Sequence, residues 1–166
     1  MASLSEVEAI LITACVSALL AVWAIITQRV VSRRVATLEY IARVESDEDL
    51  INARNKFIEL TSSNGNLLKF ADPNRYNSAE AHAIRLVLNE REQLAIGVQF
   101  GVLDKSYIRR YSRGQLVKDF RIAAPFIYKI RAVSANPAIY HEFEDLVRSF
   151  VDKKMPARWH WTRLWI

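Results

Sequence analysis

Residues 9–26 read AILITACVSALLAVWAII, 18 positions without a charge, and Thr27 and Gln28 extend the uncharged run. A helix built from this stretch is apolar on every side. Its solvent must be hydrocarbon or the interior of a protein large enough to surround it. At ~1.5 Å per residue, a helix of this length covers the ~30 Å hydrocarbon core of a bilayer. A core helix of this kind needs more protein around it than the rest of the chain supplies. A cleaved signal peptide needs positive charge ahead of the apolar run, whereas Glu6 and Glu8 stand there. The segment is therefore expected to span a membrane. Thr13 and Ser17 fit this because their hydroxyls can bond back to helix carbonyls, and Trp23 falls near the interface at the Arg29 end. Arg29, Arg33 and Arg34 follow the run directly. The preference for positive flanks on the inner side then puts the N-terminus outside and residues 29–166 in the cytoplasm, with the inner membrane as the location. Cys15 is the only cysteine. It can form neither an intramolecular disulfide nor a cysteine-based metal cluster, and it reads as a small apolar residue within the span.

Three regions follow from this division: 1–28 with the span, 29–152 as a compact multi-helix cytoplasmic domain, and 153–166 as a basic, tryptophan-rich tail. The expected class is all-α, since no alternating run is long enough for a strand. Gly and Pro are absent from residues 1–64, so the spanning helix is expected to continue into the domain. There Val31, Val35, Leu38 and Ala42 form a stripe at helical spacing. Such a stripe serves either as a homodimer seam or, as more often happens, as a face packed on its own domain. Ser46 with Asp49 predicts the cap of a second helix, and Asn77 with Glu80 that of a third. The residues between, with Asn64-Gly65 and Asp72-Pro73, read as a loop. Asp104 is expected to cap a helix that Gly114 ends, with another from Gln115 bent or restarted at Pro125. Asn136 and Pro137 are expected to open the last helix.

In the third helix Ile84, Leu88, Ala95 and Gln99 share a face with Glu92. A carboxylate on an apolar stripe needs a partner, and Arg121 is the expected one. With Asn89 and Asp104 these residues form a candidate structural polar network. Gly97 and Gly101, four apart, allow close approach of another backbone, and Gly101 also suits a C-terminal cap.

The stretches ATLEYIARVESDEDLINARNKFIEL, AIRLVLNEREQLAIGVQFGVLDKSYI and LVKDFRIAAPFIYKIRAVSANPAIYHEFEDL resemble a bacterial and phage family, domain of unknown function forty-seven sixty. The resemblance covers about residues 36–152 and includes Leu88, Asn89, Glu92, Ala95, Gly97, Gly101 and Asp104. It implies a membrane anchor with a compact helical domain, and it carries no catalytic role and no cofactor.

Signatures of catalysis are missing from the sequence. His141 opens HEFED, which lacks the second histidine of a zinc-protease helix, and GVQFG lacks the Lys-Ser/Thr of a phosphate-binding loop. Glu90 and Glu92 point to different faces of one helix. No enzyme, metal or cofactor is expected. Charge is more informative. Residues 104–131 carry eight bases against two acids. Within them Tyr107, Arg109, Arg110, Tyr111 and Arg113 interleave aromatics and cations in a way that suits nucleic acid. The tail combines Lys153, Lys154, Arg158 and Arg163 with Trp159, Trp161 and Trp165. With Arg29, Arg33 and Arg34 these make a candidate interface with anionic lipid. The expected function is a membrane-anchored, non-enzymatic interaction or regulatory module, with the resemblance implying a link to phage–host biology. Its expected partners are the bilayer, an unidentified protein and a second copy of the chain. The alternative is a membrane-tethered nucleic-acid-binding protein.

Overall fold

The computed structural model describes residues 5–62 and 66–151. The described residues contain five α-helices and no strand: α1 (Glu6–Ser46), α2 (Glu48–Ser62), α3 (Ala79–Gln99), α4 (Lys105–Ser134) and α5 (His141–Val151). Two 3₁₀ turns, Leu67–Ala71 and Pro73–Arg75, connect α2 to α3. The fold is all-α, a long apolar N-terminal helix followed by a helical domain.

A capping box starts α1. The Ser5 hydroxyl accepts from the Glu8 amide at 3.3 Å, and the Glu8 carboxylate accepts from the Ser5 amide at 2.9 Å. From there α1 runs 41 residues without a break, through the expected boundary at residue 28. Among the described residues nothing buries its most apolar 18-residue stretch. Thr13 satisfies its hydroxyl by donating to the Ala9 carbonyl at 2.9 Å.

The far end of α1 docks on the domain through Thr37, Tyr40, Ile41 and Val44. This corrects the reading of Val31, Val35, Leu38 and Ala42 as a face packed on its own domain, since all four are exposed. At about 100° per residue, the centres of these two rows lie about 140° apart around the helix, so the valine-rich row faces away from its own domain.

Helix boundaries also depart from expectation. Asp47, not Ser46, caps α2, its carboxylate accepting from the Leu50 amide at 3.1 Å. Ser78, not Asn77, caps α3, accepting from Ala81 at 3.1 Å. Gly114 and Pro125 end nothing, since α4 continues through both. A glycine inside a helix costs roughly 1 kcal/mol, and buried Ile108 and Leu116 on either side outweigh that by packing. Pro125 offers no N–H to the carbonyl one turn back, but it lies on the exposed side, where water can serve that carbonyl. Asn136 accepts from Ala138 at 3.0 Å in a turn, and α5 starts only at His141.

Phe126, Phe143, Phe150, Ile84, Leu88, Ile108, Leu116 and Ile127 are the largest fully buried apolar side chains. They place the core where α3, α4 and α5 meet. Phe120 and Phe143 pack edge to face with centroids 5.4 Å apart. The Leu67–Ala71 turn buries Leu67 and Phe70 against α4, so part of the expected loop belongs to the core. Tyr40 meets Glu90 while Arg33 meets Gly101, so α3 runs back toward the apolar end of α1. Arg34 meets Asp104 while Tyr111 meets Glu45, so α4 runs away from that end.

Candidate functional site

A groove of about 450 Å³ lies between α1, α2, α3 and α4. Ile41, Val44, Phe57, Val87, Leu94 and Ile108 supply apolar walls. At its base lies a buried ionic cluster, and Arg91 is its hub. Nη1 of Arg91 donates to Glu90 Oε2 at 2.8 Å, while Nε and Nη2 reach Asp119 Oδ2 at 3.1 and 3.0 Å. Arg54 approaches Glu90 Oε2 at 3.5 Å, Tyr40 donates to Glu90 Oε1 at 3.0 Å, and Gln115 donates to Asp119 Oδ1 at 2.6 Å. Burial raises the Asp119 pKa, and Arg91 and Gln115 pull against that rise. Burial and the Glu90 carboxylate push the Tyr40 phenol well above its ordinary range, so Tyr40 stays a hydrogen-bond donor. The cluster joins four helices through side chains of both signs.

Glu92 stands apart from this cluster and from Arg121. Its two carboxylate oxygens accept from the Glu142 and Phe143 amides at 3.3 and 2.7 Å. It therefore caps α5 from another helix, replacing a local Ser or Asp cap. Tyr140, just before α5, has φ +56° and cannot supply a capping oxygen from its ring. Burial raises the Glu92 pKa, and the two amides oppose the rise. Asn89 accepts from the Tyr140 hydroxyl at 3.1 Å, so Asn89 and Glu92 do converge, on the start of α5. Arg121 is exposed on α4 and takes no part in this contact, which corrects its assignment as the Glu92 partner. A third cluster holds the other side of α5. Glu144 accepts from Arg131 at 2.7 Å and Arg148 at 2.6 Å. Burial would raise the Glu144 pKa, but these cations and the Tyr128 hydroxyl outweigh it and the net shift is downward.

Asp104 caps α4, accepting from the Ser106 and Tyr107 amides at 2.8 and 3.1 Å. Its own amide donates to the buried Thr37 hydroxyl at 2.8 Å, and Arg34 lies 3.6 Å from its carboxylate. Gly101 sits at φ +67°, which glycine adopts without strain. The Val102 and Gly101 amides bond back to Gly97 and Val98 at 2.9 and 3.1 Å, closing a Schellman cap. Gly97 allows a close approach, but of the Leu103 side chain and not of a second helix: a Cβ there would meet Leu103 Cδ1 at 2.8 Å. At Gly101 the near neighbour is the Arg33 guanidinium, 3.1 Å from where a Cβ would stand.

Of the aromatic and basic residues singled out on α4, Tyr107, Arg110 and Tyr111 are exposed, whereas Arg109 and Arg113 are half-buried on another side of the helix. The exposed row continues instead through Lys118, Arg121 and Lys129. Tyr111 donates to the Glu45 carboxylate. Arg29, Arg33 and Arg34 are exposed on α1. Lys153, Lys154, Arg158, Trp159, Trp161, Arg163 and Trp165 lie outside the described residues.

Sequence reading missed Glu90, Arg91, Asp119, Arg54 and Tyr40. Their one local signal is that Glu90 and Arg91 interrupt the apolar periodicity of α3 side by side. The cluster binds and locks: each carboxylate meets a guanidinium, and the Ser112 hydroxyl in the groove donates to the Ile108 carbonyl at 3.2 Å. Among the described residues no group of three or more His, Cys, Asp or Glu side chains is placed to hold a metal ion.

No curated protein and no solved structure matches this chain. One family pattern does, described as a domain of unknown function (DUF4760), over residues 11–150. That range takes in most of the apolar run, all three polar clusters and the α3–α4 cap, and the chain belongs to the DUF4760 family.

Proposed function

We propose that the protein is a membrane-anchored, non-enzymatic interaction module. Its N-terminus lies outside and its helical domain is held on the cytoplasmic face of the inner membrane. The observation that carries this reading is the continuity of α1: its unburied apolar run becomes, without a break, the helix on which the domain is docked. Anchor and domain are thus one rigid piece. The polar clusters support a non-catalytic role, since they close on one another and tie helices together.

The protein partner in this reading is a second copy of the chain, paired along α1. The outward row continues at heptad spacing from Ile10 through Ala14, Ser17, Ala21, Ala24, Gln28, Val31, Val35 and Leu38 to Ala42. Small residues in the apolar half allow close helix approach in lipid. Apolar residues in the docked half suit a coiled-coil seam, and a lone polar Gln28 suits a register-setting position. Leu38 and Ala42 stand ten and fourteen residues past Gln28, about 15 and 21 Å at 1.5 Å per residue, beyond the reach of lipid. In a parallel pair Arg34 of one helix falls beside Glu39 of the other, five positions on, which is the charge-matched arrangement.

Two experiments test the reading. Alkaline carbonate should leave the full-length protein in the membrane pellet; release into the supernatant removes the anchor. In a Cys15→Ala background, Leu38→Cys should crosslink to a dimer in native membranes while Ile58→Cys, on α2, should not. Equal or absent crosslinking at both positions removes the seam. The exposed row of Arg110, Lys118, Arg121 and Lys129 beside Tyr107 supports a second reading, nucleic-acid binding at the membrane. Reversing Arg110 and Lys118 should then abolish a salt-sensitive gel shift; no shift by the unaltered protein at low salt ends it.

A further inference from the structure

We propose that the loop between α3 and α4, Phe100–Leu103, is a second membrane contact, with Phe100 and Val102 seated in the interface of the leaflet from which α1 emerges. This rests on the reading of α1 as a span. Phe100 is 77% exposed and Val102 56%; Phe100 is barer than Leu19 in the apolar run at 70%. Large apolar side chains this exposed at a helix end, two residues apart, call for a partner that the described residues do not supply.

The position of the loop identifies that partner. The loop is the turning point between α3, which runs toward the apolar end of α1, and α4, which runs away from it. It therefore lies at the end of α3 and α4 that faces the apolar end of α1. Three contacts fix its height on α1: the Arg33 guanidinium against Gly101, the Thr37 hydroxyl on the Asp104 amide, and Arg34 beside the Asp104 carboxylate. Arg33 is five residues past Gln28, about 8 Å along the helix at 1.5 Å per residue. That depth matches the headgroup layer, roughly 5–8 Å on each side of the hydrocarbon core.

The loop is also built to hold its two apolar side chains outward. Leu103 is buried under Gly97, and the Schellman cap fixes Gly101 and Val102. Burying Leu103 while leaving Phe100 and Val102 bare is a division made by the backbone. Arg33 and Arg34 lie against the loop and its Asp104 carboxylate, exposed Lys105 follows it directly, and exposed Arg29 stands one helical turn before Arg33 on α1. Exposed apolar residues ringed by cations match an anionic leaflet, where the cations meet headgroups and the apolar side chains pass below them. The loop and the span together would set the tilt of the domain, which a single helix leaves free to rotate about its axis.

The test uses the full-length protein in nanodiscs of phosphatidylglycerol and phosphatidylcholine, in a Cys15→Ala background. An environment-sensitive fluorophore is placed on Phe100→Cys, on Leu19→Cys within the apolar run, and on Val133→Cys near the far end of α4. Lipids carrying a nitroxide high on the acyl chain serve as quencher. The expected result is a blue-shifted spectrum and loss of intensity at positions 100 and 19, with neither at 133. Quenching at 19 but not at 100 overturns the loop contact and leaves the anchor standing. No quenching at 19 overturns both. Equal quenching at 100 and 133 means the domain lies flat on the bilayer, and overturns a contact specific to this loop.

Discussion

Replacing Arg91 by methionine tests whether the cluster at the base of the groove carries the domain. The side chain is 10% exposed, and Glu90 and Asp119, on either side of it, are each 4% exposed. Removing one partner of a buried ion pair costs about 3–5 kcal/mol, because the charge left behind is unsolvated. Here the two carboxylates are affected unequally. Glu90 keeps Tyr40 at 3.0 Å and Arg54 at 3.5 Å, whereas Asp119 keeps only Gln115. The lower end, about 3 kcal/mol at pH 7, is therefore expected, a fall in melting midpoint on the order of 10 °C for a domain of this size. Asp119 can escape by taking up a proton. Its pKa is already raised by burial, and losing Arg91 raises it further. A carboxyl whose folded pKa is raised contributes stability below its unfolded pKa and loses it as pH climbs through the folded value. Arg91→Met should thus recover part of its deficit between pH 7 and pH 4, and adding Asp119→Asn should recover part of it at pH 7. Thermal melts of the full-length protein in detergent, followed by circular dichroism, read all of this. A loss under about 1 kcal/mol, or a deficit unchanged by pH and by Asp119→Asn, would refute the argument.

Glu92→Ala should cost about 1–2 kcal/mol by uncapping α5, measured by the same melts. Against Glu92→Gln, which does not titrate, the native protein should gain stability as pH falls from 7 toward 4, since burial raises the Glu92 pKa; a constant difference would mean that its ionisation is not linked to folding. Gly101→Ala should destabilise by about 1–2 kcal/mol because of the left-handed backbone there, whereas Gly114→Ala, helical with open space around it, should stabilise by about 0.5–1 kcal/mol; the same sign for both would contradict the assigned backbone. Thr37→Val keeps the shape but strips the acceptor from the Asp104 amide, and should cost about 1–3 kcal/mol, read as loss of melting midpoint.

How much was legible depended on the range of the physics. The apolar run, the helical class, the Asp104 cap and Gly101 as a C-terminal cap are local patterns, readable within a turn or two. Gly114 misled because a single-residue penalty near 1 kcal/mol is small beside the burial of Ile108 and Leu116 on either side. A carboxylate on an apolar face calls for a cation, which points along the sequence to Arg121 for Glu92. Two backbone amides at the start of α5 serve instead, fifty residues along the chain. Glu90 and Glu92 face different sides of α3, which argues against an acid pair, yet Glu90 belongs to a cluster assembled from Tyr40, Arg54, Arg91 and Asp119.

The sequence by itself determined how apolar each part of this chain is: an uncharged stretch long enough to cross a membrane, then helices with one apolar face each. Solvent preference sums over neighbouring residues, so it can be read in order. Which faces meet was decided only in three dimensions. The row from Val31 to Ala42 and the row from Thr37 to Val44 both carry apolar residues at helical spacing, and the side that docks is the one where the Thr37 hydroxyl accepts from the Asp104 amide while Tyr40, Ile41 and Val44 pack on the domain. Pairings of that kind depend on distances between residues far apart in the chain, and those distances exist only once the helices have packed.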